Sequence, residues 1–143
     1  EIVTTEFELI DRINKDYYHI VQPDATVVGG IESVLKIFEK STENDIKTIV
    51  HCWGGPVGMM ANYHAAIAGN GKLAEWPMPE FPLRGEMIME PWDIKAGFLH
   101  LNESPGLGVK LTNETERRYP FKKDAVYSCL PVKRLNYKKG NWK

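Results

Sequence analysis

The stretch Thr48-Ile49-Val50-His51-Cys52-Trp53-Gly54-Gly55-Pro56 constrains the fold more than any other. A β-branched run stops on a histidine, after which two glycines and a proline open a helical pattern. The stretch therefore predicts a buried strand with His51 at its carboxyl end, followed directly by a helix. In α/β folds that end of a strand is where the chemistry sits.

Two neighbouring units finish in a similar way. Residues 18–23 are strand-like and end on Asp24, followed by a loop with Gly29-Gly30 and a helical pattern from Ile31. Lys72-Leu73-Ala74 leads to Glu75, followed by Trp76-Pro77. Three consecutive strand ends thus carry Asp24, His51 and Glu75, spaced 27 and 24 residues apart. A βα unit occupies roughly 30 residues, and right-handed crossovers would set the three tips side by side on one face.

Taken in order, Thr5-Glu6-Phe7-Glu8 has the form of a capping box and predicts a helix over residues 6–15. A strand at 18–23 and a helix at 31–42 follow, the latter with Ile31, Val34, Leu35 and Phe38 at helical spacing. A strand at 47–51 leads to a helix from Pro56 through Met59, Met60, Ala65 and Ile67, stopping at Gly69-Asn70-Gly71. A strand at 72–76 closes this half. The α-β-α-β-α-β order argues for a parallel sheet covered by helices. Three such strands expose their ladders and faces, so further strands are expected upstream. The chain also begins without a methionine and reads as part of something longer.

Beyond Glu75 the prolines at 77, 79, 82 and 91 break the regular alternation. Residues 92–101 alternate like a hairpin turning near Ala96-Gly97, Ser104-Pro105-Gly106-Leu107-Gly108 is a turn, and 113–118 suits a short helix. The division expected is an α/β half over 1–80 and a C-terminal segment over 81–143.

Composition narrows the functional classes. The 143 residues are 43% hydrophobic and 26% charged with a net charge of −1, ordinary for one globular domain and no invitation to a polyanionic partner. The two cysteines, Cys52 and Cys129, form no CxxC pair, which fits a reducing, cytoplasmic setting. No apolar run approaches the ~20 residues that span a bilayer, and the first residues do not form a secretory signal.

A carboxylate beside an imidazole is a recurring acid–base device: it holds one ring nitrogen protonated, fixes the tautomer and leaves the other nitrogen as a base. Asp24 and His51 suit that pairing. Glu75 suits a protonated donor if Trp53 or Trp76 makes its pocket apolar. The alternative is three ordinary polar residues where strands meet solvent.

Gln22-Pro23-Asp24-Ala25-Thr26-Val27-Val28-Gly29-Gly30-Ile31, His51-Cys52-Trp53-Gly54, Leu73-Ala74-Glu75-Trp76-Pro77, Pro82-Leu83-Arg84 and Pro105-Gly106-Leu107-Gly108 together resemble the end of an enolase-superfamily protein of the mandelate racemase subgroup. The resemblance runs to about residue 120. It implies the sixth to eighth strands of a modified TIM-type (β/α) barrel, with Asp24 and His51 as the catalytic dyad and Glu75 hydrogen-bonded to the substrate carboxylate. By the same resemblance Glu1 is the third ligand of an essential Mg²⁺. The implied reaction removes the proton α to a carboxylate, with Mg²⁺ and Glu75 stabilising the enediolate that forms. A sugar-acid dehydratase is the leading expectation, with a racemase, epimerase or cycloisomerase of the same superfamily as alternatives. The intact enzyme is expected to be a homo-oligomer without membrane partners, and residues 1–143 alone are expected to show no turnover.

Other signals are weaker. Cys52 adjoins His51, but neighbours on a strand face opposite sides, which argues against a nucleophile. His19 in a strand, His64 in a helix and His100 in the hairpin lack partner spacing. The tail from Lys122 interleaves Tyr127, Tyr137 and Trp142 with Lys122, Lys123, Lys133, Arg134, Lys138, Lys139 and Lys143, a pattern that offers a rival from another class, a nucleic-acid or interaction module.

Overall fold

The computed structural model describes residues 2–79 and 81–123. Glu1 and the tail beyond Lys123, including Cys129, Tyr127, Tyr137 and Trp142, lie outside the described residues.

Helix α1 spans Glu6–Asn14 and begins as its capping box dictates, with the Thr5 hydroxyl accepting the Glu8 N–H at 3.2 Å. Its apolar stripe buries Leu9 and Ile13, while Arg12 pairs with Glu8 on the solvent side. Strand β1, Ile20–Val21, runs parallel to β2, Lys47–Thr48, in the register Ile20↔Lys47 and Val21↔Thr48. A short helix, α2, Ala25–Val28, follows β1 and occupies what the sequence suggests is a loop. Asp24 is its N-cap, and Gly29 closes it at φ 114°, a left-handed conformation that glycine adopts without a Cβ clash.

Next comes α3, Ile31–Glu43, which buries Val34, Ile37, Phe38 and Ser41 and packs against α1 on one side. On its other side α3 meets α4, Pro56–Ala68, which begins with proline in its first turn. α4 also lies close against α2, because a Cβ on Gly58 would meet Thr26 Cγ2 at 2.7 Å.

The strands are shorter than the sequence suggests. The expected strand 18–23 contracts to two residues, His19 sits in a bend before it, and the expected strand 72–76 contracts to the parallel bridge Val50↔Ala74. Pro23 has no N–H with which to prolong the ladder. Its carbonyl still accepts the His51 N–H at 2.9 Å, Val21 accepts from Ile49 at 3.0 Å, and Val50 accepts from Glu75 at 3.4 Å. Three parallel staves therefore remain in register. Burial alternates along the middle one: Thr48, Val50 and Cys52 are buried in the core, whereas Lys47, Ile49 and His51 face the other way.

The second half follows expectation more closely. After α5, Pro82–Glu86, strands β3, Asp93–Lys95, and β4, Phe98–His100, pair antiparallel around Ala96 at φ 51° and Gly97 at φ 80°. Positive φ at both turn residues is what a two-residue hairpin needs. Helix α6, Asn113–Arg118, is capped by Thr112, whose hydroxyl accepts the Thr115 N–H at 3.1 Å. Ile88, Trp92, Leu99, Leu101, Leu107 and Val109 pack this half onto the single core.

Candidate active site

Asp24 and His51 are brought together by the backbone ladder itself. The bond from His51 N–H to the Pro23 carbonyl fixes the two strand ends, and Asp24 Oδ2 then lies 2.9 Å from His51 Nδ1. Asp24 is 4% exposed. Its other oxygen, Oδ1, accepts from the Thr26 N–H, the Thr26 hydroxyl and Asn62 Nδ2, each at 2.8 Å. Burial pushes the Asp24 carboxyl up, but bonds from Asn62, the Thr26 amide, His51 and the Thr26 hydroxyl outweigh it and hold the group below the ordinary aspartate value.

Glu75 joins them from the third stave, with Oε2 4.0 Å from His51 Nε2. Its Oε1 accepts from Gln22 Nε2 at 2.7 Å and its Oε2 from the Cys52 N–H at 3.2 Å. The side chain is 39% exposed and both oxygens act as acceptors, so Glu75 does not occupy the closed apolar pocket considered from sequence. Trp76 stacks on Tyr63 at 6.4 Å and carries the Arg84 guanidinium over its face at 4.9 Å. The Tyr63 hydroxyl donates to the Glu75 carbonyl at 2.9 Å and Arg84 Nη1 to the Pro77 carbonyl at 2.7 Å. Together these bonds pin the backbone on either side of Trp76.

His51 and Glu75 border a cleft of about 460 Å³, lined also by Cys52, Trp53, Trp76 and Pro77 to Pro79, with Asp24 buried behind His51. Trp53 meets Phe81 edge-on at 5.4 Å on its rim. Another cavity of about 420 Å³ lies between α1 and β1, but its charged groups, Glu8 and Arg12, are paired with each other. Cys52 faces the core, 1% exposed, and burial pushes its thiol up to about 12. At neutral pH such a thiol is not a nucleophile.

Sequence reasoning singled out Asp24, His51 and Glu75, and the structure gathers all three. It did not single out Asn62, Gln22 or Tyr63. The signal for Asn62 was a lone amide within the apolar run Met59-Met60-Ala61-Asn62-Tyr63 of α4. Among the described residues no group of three or more His, Cys, Asp or Glu is arranged to hold a metal ion. Glu1 lies outside the described residues, and the oxygens of Asp24 and Glu75 are engaged by protein donors.

Parallel staves alternating with helices, with Asp24, His51 and Glu75 at their carboxyl ends, have the arrangement of part of a TIM-type α/β barrel. Residues 1–115 match the family described as enolase C-terminal domain-like, and the chain belongs to that family. Arabinonate dehydratase of Saccharolobus solfataricus is 28% identical over 122 residues, covering 85% of this chain and 33% of that protein. A D-galactonate dehydratase family member of Pseudarthrobacter chlorophenolicus is 26% identical over 137 residues, covering 94% of this chain and 32% of the relative. The crystal structure of 3,6-anhydro-D-galactonate cycloisomerase from Zobellia galactanivorans superposes with a TM-score of 0.69 at 26% identity, covering 80% of this chain and 33% of that one. The chain thus spans about a third of the length of the proteins it resembles. Among the described residues no helix is long and apolar enough to cross a membrane.

Proposed function

We propose that this chain carries the acid–base part of an enzyme that removes the proton α to the carboxylate of a sugar acid and then expels the β-hydroxyl as water. The observation that carries the reading is the 2.9 Å contact of Asp24 Oδ2 with His51 Nδ1, which leaves Nε2 on the cleft side. Asp24 is ionised and accepts the Nδ1 proton, so the neutral imidazole presents its lone pair at Nε2. His51 takes the α-proton there, and the C–H electron pair moves into the substrate as an enediolate. The imidazolium returns that proton to the β-hydroxyl while the C–O bond breaks, giving water and an enol that tautomerises to a 2-keto acid.

Glu75 faces the substrate carboxylate in this reading. The Gln22 amide and the Cys52 N–H, both donating to Glu75, fix where its carboxyl group stands at the cleft. Further support comes from the names of two relatives, an arabinonate dehydratase and a D-galactonate dehydratase family member. Mg²⁺, held by Glu1 together with ligands from the rest of the intact enzyme, would add its charge to the stabilisation of the enediolate.

The test is an intact-enzyme screen of sugar acids in D₂O with His51→Asn as control. The expected result is a 2-keto product that the control does not form. Exchange of the α-proton without a 2-keto product would replace dehydration by racemisation, and absence of both across the screen would refute the reading.

A further inference from the structure

Asn62 is 1% exposed and stands in the middle of α4, surrounded by a helix face that otherwise buries Met59, Met60, Tyr63 and Ala66. Burying an amide is unfavourable unless both ends are bonded. Both are: Asn62 Oδ1 accepts the Ala25 N–H at 2.7 Å, and Asn62 Nδ2 donates to Asp24 Oδ1 at 2.8 Å. The orientation of the amide is settled by its partners, because a backbone N–H only donates and a carboxylate only accepts.

We propose that Asn62 is a positioning residue that fixes which oxygen of Asp24 meets His51. The inference rests on the reading of Asp24 and His51 as the acid–base pair. Of the three donors on Asp24 Oδ1, two come from Thr26, two residues along the same turn. Such a local turn is satisfied equally well by either carboxylate oxygen. The third donor comes from a separate element, and α4 starts only five residues after His51. Asn62 thus ties the helix that follows the histidine to the carboxylate that follows the preceding stave. With Oδ1 held by Asn62, Oδ2 is directed to His51 Nδ1. Asn62 also makes the largest of the contributions that keep Asp24 ionised. Gly58, one turn earlier, is what lets α4 approach closely enough, since a Cβ there would meet Thr26 Cγ2 at 2.7 Å.

The full-length protein, labelled with ¹⁵N-histidine, tests this with Asn62→Asp and Asn62→Leu. Asn62→Asp keeps the size and the acceptor for Ala25 and lacks the N–H donor, whereas Asn62→Leu loses both. Ring ¹⁵N shifts at a pH where His51 is neutral should show the Nδ1–H tautomer in the wild type and a mixture with Nε2–H in both variants. Turnover of the sugar acid should fall by about 10–100-fold, the usual cost of losing a group that orients a functional side chain, in kcat with KM unchanged. Retention of the Nδ1–H form and of kcat in Asn62→Asp would overturn the proposal, because the donor is then dispensable. A wild-type His51 in the Nε2–H form would instead refute the acid–base reading itself. Should neither variant fold, exchange of the Asn62 side-chain amide in the wild type decides: one shielded hydrogen supports the proposal, and two rapidly exchanging ones overturn it.

Discussion

Asp24 Oδ2 and His51 Nδ1 meet at 2.9 Å because the two backbones meet at the same distance, His51 N–H donating to the Pro23 carbonyl. The side-chain pair is therefore a consequence of strand register, and a slip of one residue would turn His51 into the core.

The pair should behave as a unit. His51→Asn removes the base and Asp24→Asn removes the acceptor that selects its tautomer, each expected to lower turnover by about 10²–10⁴-fold. Groups acting in one step are strongly non-additive, so the double variant should lose no more than the worse single one. Steady-state kinetics of the three variants would check this, and multiplicative losses would mean that the residues act separately.

Acid stability follows from the Asp24 carboxyl, held below its ordinary value. A group depressed by folding contributes stability above its unfolded pKa, about 3.9 for aspartate, and loses it as the pH falls through the folded value. Stability should thus be flat at neutral pH and decline below about pH 4. Thermal unfolding against pH should show part of that decline missing in Asp24→Asn, which has no proton to take up.

Much of this site was legible because chemistry-bearing residues stood at the ends of apolar runs. Spacings of 27 and 24 residues located Asp24, His51 and Glu75, and Ala96-Gly97 located the hairpin turn. What escaped depends on contacts between elements. Thr26-Val27-Val28 is β-branched and disfavours helix, so α2 was hidden; it forms because Asp24 caps it and Asn62 holds Ala25 from outside. Gln22 resembled strand filling, yet it faces Glu75 across 53 residues of sequence. Strand β1 stopped short where Pro23 removed a donor, which periodicity alone does not reveal.

Cys52 should resist alkylation. Burial pushes its thiol up to about 12, and only the thiolate reacts. Iodoacetamide at pH 8 should label Cys52 only at the rate at which the protein opens, and quickly in denaturant, as peptide mapping would show. The linkage has the opposite sign to that of Asp24. A raised folded pKa leaves stability intact below the unfolded value of about 8.5, and stability then falls with rising pH towards the folded value, because only the unfolded thiol ionises. Cys52→Ala should flatten that alkaline slope.

The close approach of α4 to α2 sets two effects against each other at Gly58. Alanine in a helix interior is worth about 1 kcal/mol over glycine, but its Cβ would meet Thr26 Cγ2 at 2.7 Å. Overpacking of that kind costs about 1–3 kcal/mol, so Gly58→Ala should be neutral to destabilising. Any outward movement of α4 would also draw Asn62 Nδ2 from Asp24 Oδ1, now at 2.8 Å, and reduce turnover. Thr26→Ser removes the clashing methyl and keeps the hydroxyl that donates to Asp24. Combined with Gly58→Ala it should restore turnover and leave the propensity gain, raising Tm above that of Thr26→Ser alone. If the double variant were no more stable than Gly58→Ala, the methyl would not be what limits the approach of the two helices.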